Sequence, residues 1–228
     1  MTESRTGVDV AHLVVGLLGG TGRQGKGLAL RWALSGQRVL LGSRNLARAE
    51  QAALDLAADT PEGSVTGTDN FSCAAAADII VVAVPWDGHG ATLTEVREPL
   101  RGKVVVDCVN PIAFDDRGPY ALSVPEGSAA EQAAALLPQS RIVAAFHHVS
   151  APLLADLTLS RVETDVLVLG DDRAATDVIQ ALAARIPGVR GVYAGRLRSA
   201  HQVEALTANL IAVNRRYKAH AGLRVTDV

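Results

Sequence analysis

Leu13-Val14-Val15-Gly16-Leu17-Leu18-Gly19-Gly20-Thr21-Gly22-Arg23-Gln24-Gly25 is the stretch that decides the fold. A short apolar run of strand type leads straight into Gly20-x-Gly22-x-x-Gly25, and Lys26 to Leu34 then carries a helical apolar pattern. A buried strand feeding a glycine-rich turn lets the backbone approach a pyrophosphate, and the helix start beyond it offers unpaired N–H groups and a partial positive charge. The string alone recurs by chance, and a strand-to-helix turn without a ligand is the plainer alternative. The strand before it and the helix after it favour a dinucleotide cradled by Gly20, Thr21, Gly22, Arg23, Gln24 and Gly25.

Working outward, Arg38 to Leu41 reads as the second strand and ends in Gly42-Ser43-Arg44, about 20 residues beyond the fingerprint, where the adenosine ribose is expected. An acidic side chain at that point would accept from a ribose 2′-hydroxyl. Ser43 and Arg44 instead offer a donor and a cation, which suit a 2′-phosphate, and Arg48 follows one helical turn later. These residues point to NADP(H). The competing reading is an Asn45-capped helix with a solvated basic first turn, a charge arrangement that opposes the helix dipole.

The chain of 228 residues and 23.8 kDa has room for one α/β domain and a small appendage, and 48% hydrophobic residues supply a core. A net charge of −2 argues against nucleic acid or an anionic membrane surface as partner. No apolar stretch approaches the roughly 18 residues of a bilayer span, and residues 1–12 lack an apolar signal core, so a cytoplasmic protein is expected. Cys73 and Cys108 have neither disulfide-framework nor metal-ligand spacing and read as buried structural thiols; no metal site is expected.

Further on, a helix over Leu46–Ala58, a strand near Val65 and a helix over Asn70–Ala77 precede Asp78-Ile79-Ile80-Val81-Val82-Ala83-Val84, a run suited to a parallel strand buried on both faces. A helix over Gly90–Leu100, a strand over Lys103–Asp107, a helix over Ser128–Leu137 and a strand over Arg141–Phe146 continue the alternation. The pattern predicts a Rossmann-type doubly wound parallel sheet over residues 13–146, after a polar tail over 1–12. A small C-terminal α/β domain over 147–228 is expected, with a strand over Asp165–Leu169, a helix over Arg173–Ile186 and a long helix over Ser199–Lys218. Ile112 to Ser128 is expected to form a long loop, either a lid or a simple cover.

Hydride exchange between a nicotinamide and a second planar ring needs the reacting carbons about 3–3.5 Å apart and no nucleophile or metal. The chain has no G-x-S-x-G, H-E-x-x-H or Walker lysine motif to suggest other chemistry. His147-His148-Val149 follows a strand end beside the expected nicotinamide position; the histidines are either an acid or, more in keeping with hydride transfer, loop braces, with Val149 packing on a ring. Lys26 is open to phosphate contact or to solvation. From Arg190 onward seven basic residues face two acidic ones, an excess that either binds an anionic substrate tail or sits near helix ends for electrostatic reasons. Val203, Leu206, Leu210 and Val213 share a helical face that is either a dimer interface or intrachain core.

Leu18-Gly19-Gly20-Thr21-Gly22 with Gly25-Lys26-Gly27-Leu28-Ala29, then Gly42-Ser43-Arg44, Val84-Pro85-Trp86 and Asn214-Arg215-Arg216-Tyr217-Lys218-Ala219-His220-Ala221-Gly222, resembles the F420-dependent NADP reductase family over nearly the whole chain. The resemblance implies reversible hydride transfer between NADP(H) and the deazaflavin coenzyme F420, in a cytoplasmic homodimer. It implies pyrophosphate contacts from Thr21 to Gln24, 2′-phosphate contacts from Ser43, Arg44 and Arg48, and nicotinamide contacts from Val84, Asn110, Ile112 and Ala151. It also implies ring positioning by His147 and Val149, with Thr207, Arg215, Arg216, Ala221 and Gly222 as F420 candidates. The chain departs from archaeal relatives at His201 and Ala205, around Glu204 and Thr207. Competing functions are an NADPH-dependent reductase of a flavin or ferric chelate, and a non-catalytic NADP(H) sensor that binds nucleotide without turnover.

Overall fold

The computed structural model describes residues 7–228. Its first half is a βα alternation: β1 (Val14–Leu18), α1 (Arg23–Leu34), β2 (Arg38–Ser43), α2 (Leu46–Ala57), β3 (Val65–Asp69), α3 (Asn70–Ala76), β4 (Ile79–Val82), α4 (His89–Glu95) and β5 (Val104–Asp107). There follow β6 (Ile112–Asp115), β7 (Gly118–Ala121), α5 (Ala129–Leu136), β8 (Arg141–Ala144), α6 (Ala151–Ala155), β9 (Thr164–Gly170), α7 (Arg173–Ala184), β10 (Val189–Gly195) and α8 (Ala200–Tyr217).

Eight strands form one sheet in the order β10-β9-β8-β5-β4-β1-β2-β3. The pairs are parallel except β8 with β9. The uninterrupted apolar runs of the central strands follow from burial on both sheet faces. Leu17, Val81, Val106 and Val143 enter one core, while Leu18, Val82, Val105 and Ala144 enter the other. Order reverses at β1, between β2 on one side and β4 on the other, and the loops leaving the C-terminal ends of these strands open a crevice there.

Several segments differ from the sequence expectation, the short helix α6 among them. Residues 112–128 are not a structureless loop, because β6 and β7 pair antiparallel from Ile112↔Ala121 to Asp115↔Gly118. Asp115 Oδ1 accepts from Arg117 N at 2.8 Å and Gly118 takes φ +117°, which closes the turn. The strand β10 is hidden in sequence by Gly191 and Gly195, yet Gly191 is what lets α7 lie close, since a Cβ there would come within 2.5 Å of Gln180 Cα. The helix expected to reach Leu100 ends at Glu95.

The segment beyond Phe146 joins the same sheet through the β8–β9 pair, so one sheet runs across the expected boundary. Of the expected tail, residues 1–6 lie outside the described residues. Val10 is buried, and its carbonyl accepts from the buried Gln37 Nε2 at 2.9 Å. No described helix is long and apolar enough to cross a membrane.

Candidate functional site: a dinucleotide crevice

The three fingerprint glycines have different physical jobs. A Cβ on Gly20 would meet Leu17 O and Leu41 Cδ2 at 2.9 Å, and one on Gly25 would meet Gly20 Cα at 2.7 Å, so these two are required for strand and helix to approach. Gly22 has no such constraint, its nearest neighbour being Gly19 O at 3.5 Å, and it faces a cavity of about 700 Å³. The start of α1 has no side-chain cap and no acidic first-turn residue, whereas α2, α3, α5 and α7 are capped by Asn45, Asp69, Ser128 and Asp172. Unpaired amides and a positive helix end are thus left facing the cavity, as a pyrophosphate requires.

Thr21, Arg23, Gln24, Ser43, Arg44 and Arg48 line that cavity. Ser43 is buried and its Oγ accepts from Asn45 N at 3.1 Å, which shapes the turn. Asn45 does cap α2, its Oδ1 accepting from Arg48 N at 3.1 Å. The cap is thus present, and it leaves Ser43, Arg44 and Arg48 on the cavity wall. Arg44 and Arg48 are exposed and form no ion pair among the described residues, unlike Lys26, whose Nζ lies 3.0 Å from Asp55 Oδ2 and is spent there.

A second cavity of about 240 Å³ adjoins the first and shares Gln24, Ala83, Val84 and Pro85 with it; Asn110 and His147 line its far side. Asn110 Nδ2 donates to His147 O at 2.9 Å, and the Thr207 hydroxyl from α8 sits 3.1 Å from that carbonyl and 3.3 Å from Asn110 Oδ1. The F420 candidate Thr207 thus meets the nicotinamide candidate Asn110. Both His147 ring nitrogens are buried without a partner among the described residues, and burial pushes this imidazole down to about 4, against the opposing pull of Asp107. It is a neutral ring at physiological pH. His148 is instead used structurally, Nε2 lying 2.7 Å from Asp165 O.

The strand end that presents these residues is held in an unusual backbone conformation. Phe146 takes φ +65°, rare for an aromatic residue, while its ring is fully buried edge-on against Trp32 with centroids 5.5 Å apart. Gln24 Nε2 donates to Phe146 O at 3.3 Å, linking the fingerprint directly to this turn.

Other candidates are placed elsewhere. Val149 is buried in the same core as Phe146 and Leu154. Ile112 opens β6 and Ala151 opens α6, and neither lines these two cavities. Arg215 stacks its guanidinium 5.4 Å from the Phe114 ring centroid on the hairpin, with Arg216 exposed beside it. Ala221 N donates to Asn214 Oδ1 at 2.6 Å, and Gly222 packs so closely on β9 that a Cβ would meet Thr164 Oγ1 at 2.8 Å. Of the proposed apolar face of α8, Val203 is core, Leu206 and Leu210 are half-buried and Val213 is exposed. Both cysteines are free and buried, and burial raises both thiols, Cys73 to about 12.

Sequence reasoning missed a buried polar group beneath the crevice. His89 Nε2 lies 2.6 Å from Asp107 Oδ2 and its Nδ1 lies 2.8 Å from Gln132 Oε1, so acceptor oxygens flank the ring on both sides. Burial opposes the charged ring, and Asp107, Gln132 and Glu204 together more than offset it, raising the His89 pKa. Asp107 Oδ1 also accepts from Val109 N at 3.0 Å, fixing the loop that carries Asn110. Glu204 caps α5 by accepting from Ala129 N and Ala130 N at 3.0 and 3.1 Å; burial pushes its carboxyl up to about 7. Polar residues this far apart in sequence give no local signal of their meeting.

Residues 14–111 match the family model described as NADP oxidoreductase coenzyme F420-dependent. A protein named F420-dependent NADP reductase from Methanothermobacter thermautotrophicus is 38% identical, over 97% of this chain and 98% of its own. Its namesake in Methanocaldococcus jannaschii is 36% identical over 94% and 98%. The chain belongs to the F420-dependent NADP reductase family. A crystal structure from Arthrobacter sp. FB24, carrying a provisional name of the same kind, superposes with a TM-score of 0.79 at 25% identity over 94% of this chain and 99% of its own. A pyrroline-5-carboxylate reductase from Coxiella burnetii, at 14% identity and TM-score 0.62 over 89% of this chain and 66% of its own, shares the fold alone.

Proposed function

We propose that this chain is an oxidoreductase exchanging hydride directly between NADP(H) and coenzyme F420. The observation that carries the reading is the pair of adjoining cavities at the sheet's reversal point, one with an uncapped helix start and two exposed arginines without an ion pair among the described residues, the other with a neutral imidazole and the Asn110 amide. The residues fit the nucleotide: open space at Gly22, free amides at α1 and unspent cations at Arg44 and Arg48 match a pyrophosphate and a 2′-phosphate.

When bound, the nicotinamide supplies the hydride chemistry and the deazaflavin accepts or returns it. The chain's own residues do the positioning. Thr21 to Gln24 hold the pyrophosphate; Ser43, Arg44 and Arg48 hold the 2′-phosphate; Val84 and Asn110, which line the smaller cavity, serve the nicotinamide side. The Gln24 and Asn110 hydrogen bonds hold the Phe146–His147 turn, which presents His147 to the smaller cavity for ring positioning, with Val149 packed in the core behind it. No side chain is required as acid or base. The basic C-terminal stretch, with Arg215 and Arg216, suits the anionic tail of F420, and residues 147–228 carry the F420 side and a homodimer contact through the outer face of α8. The protein works in the cytoplasm.

The test mixes purified protein with NADPH and F420, with NADH in parallel, and follows loss of the deazaflavin's visible absorbance. Rapid loss with NADPH, weak loss with NADH, and collapse of that preference in Arg44→Ala are expected. Absence of any bleaching despite tight NADPH binding would refute the activity.

A further inference from the structure

We infer that Asn70 is a further nucleotide contact, which places its side-chain amide on the 2′-phosphorylated ribose and contributes to the preference for the phosphorylated dinucleotide. The inference rests on the assignment of the larger cavity to NADP(H). Register puts the residue in place: β3 pairs with β2 so that Ser43 faces Asp69, and Asn70 is the next residue, at the ribose end of the cavity. It lines that cavity together with Ser43, Arg44 and Arg48.

The side chain is 3% exposed, and its Oδ1 has no hydrogen-bond partner among the described residues. A buried, unpaired amide oxygen costs roughly 1–3 kcal/mol, so an amide held with its oxygen turned inward against the backbone of β2 calls for a reason, and keeping its nitrogen on the cavity side is one. Capping is not that reason, because Asp69 Oδ1 already accepts from Ser72 N at 2.8 Å. Room for the amide is made by Gly42: a Cβ at that position would lie 2.9 Å from Asn70 Oδ1. With Oδ1 against Gly42, the amide nitrogen projects from the other side of the group and is a donor. A donor without charge, next to Ser43 and two arginines, suits phosphate oxygens and adds no repulsion. The glycine of Gly42-Ser43-Arg44 thereby acquires a role that the dinucleotide fingerprint does not explain.

The experiment measures binding by calorimetry, without any acceptor, using adenosine 2′,5′-bisphosphate and AMP as probes on the wild type and on Asn70→Ser, Asn70→Asp and Arg44→Ala. Loss of a hydrogen bond to a charged group predicts weakening of the bisphosphate by about tenfold in Asn70→Ser, with AMP within about twofold. Asn70→Asp, which sets a carboxylate against the phosphate, should weaken the bisphosphate further. Should the Asp variant not fold, Asn70→Ser decides. Equal losses for both probes, or none, would overturn the inference while a selective loss in Arg44→Ala leaves the cavity assignment standing. No selective loss in Arg44→Ala would overturn both.

Discussion

Arg31 offers a quantitative test of how the nucleotide-binding helix is tied to the rest of the molecule. This α1 residue is 5% exposed and donates four hydrogen bonds into one segment: Nε to Leu154 O at 2.8 Å, Nη1 to Leu159 O at 2.8 Å, and Nη2 to Leu153 O at 3.1 Å and Asp156 O at 2.5 Å. The guanidinium therefore serves as the C-terminal cap of α6, where carbonyls are left unpaired and a cation is favoured. Burial lowers the Arg31 pKa, with Asp156 opposing, and the group stays charged. Arg31→Met keeps the aliphatic stem and removes every donor. The bond to Leu154 O is buried, so that carbonyl incurs its full desolvation cost of about 1–3 kcal/mol; the other three are part-buried and regain water at about 0.5–1 kcal/mol each. Relief from burying a charge offsets part of the sum, leaving an expected loss of about 2–4 kcal/mol. Urea denaturation should show a lower midpoint at unchanged slope, and hydrogen exchange should show residues 151–159 losing protection first. A loss under about 0.5 kcal/mol would refute the capping account.

Three further perturbations test other parts of the structure. The Glu204 carboxyl sits at about 7 in the folded chain, above its ordinary value, so its contribution is full below about pH 4.5 and is lost as pH rises through 7. Relative to Glu204→Gln, the wild type should lose up to about 3 kcal/mol between pH 5 and 8 in urea titrations, and parallel pH profiles would refute this. At Gly27 the helix gains about 1 kcal/mol of propensity from alanine, yet the new Cβ would stand 2.7 Å from Leu154 Cβ, so Gly27→Ala should lower Tm; a rise would show that α6 yields easily. Neutralising the exposed Arg215 and Arg216 together as glutamines should raise KM for F420 severalfold, more so at low salt, with KM for NADPH unchanged; unaltered F420 kinetics would remove the C-terminus from the acceptor site.

The local signals in this chain were strong wherever one segment carries its own explanation. The apolar runs of β1, β4 and β5 had to be buried on both faces, the spacing of Gly20, Gly22 and Gly25 announced a strand-to-helix turn, and Ser43-Arg44 spoke for a phosphate at the end of β2. Elements without a buried apolar run stayed hidden: β6 and β7 are half-buried to exposed along their length, unlike the equally short but fully buried β4 and β5, and β10 carries glycines, one of which allows the approach of α7.

What the chain order by itself determined is the run of βα units and the chemistry of the dinucleotide turn, because both depend on residues within a few positions of one another. Only the tertiary structure decided which distant polar groups meet. Thr207 reaches the His147 carbonyl from 60 residues away, Glu204 caps a helix 75 residues before it, and Asn70 lies unpaired against Gly42. The physical reason is that a buried polar atom takes its partner from whatever the packed helices and strands bring within about 3 Å, and separation along the chain carries no record of that distance.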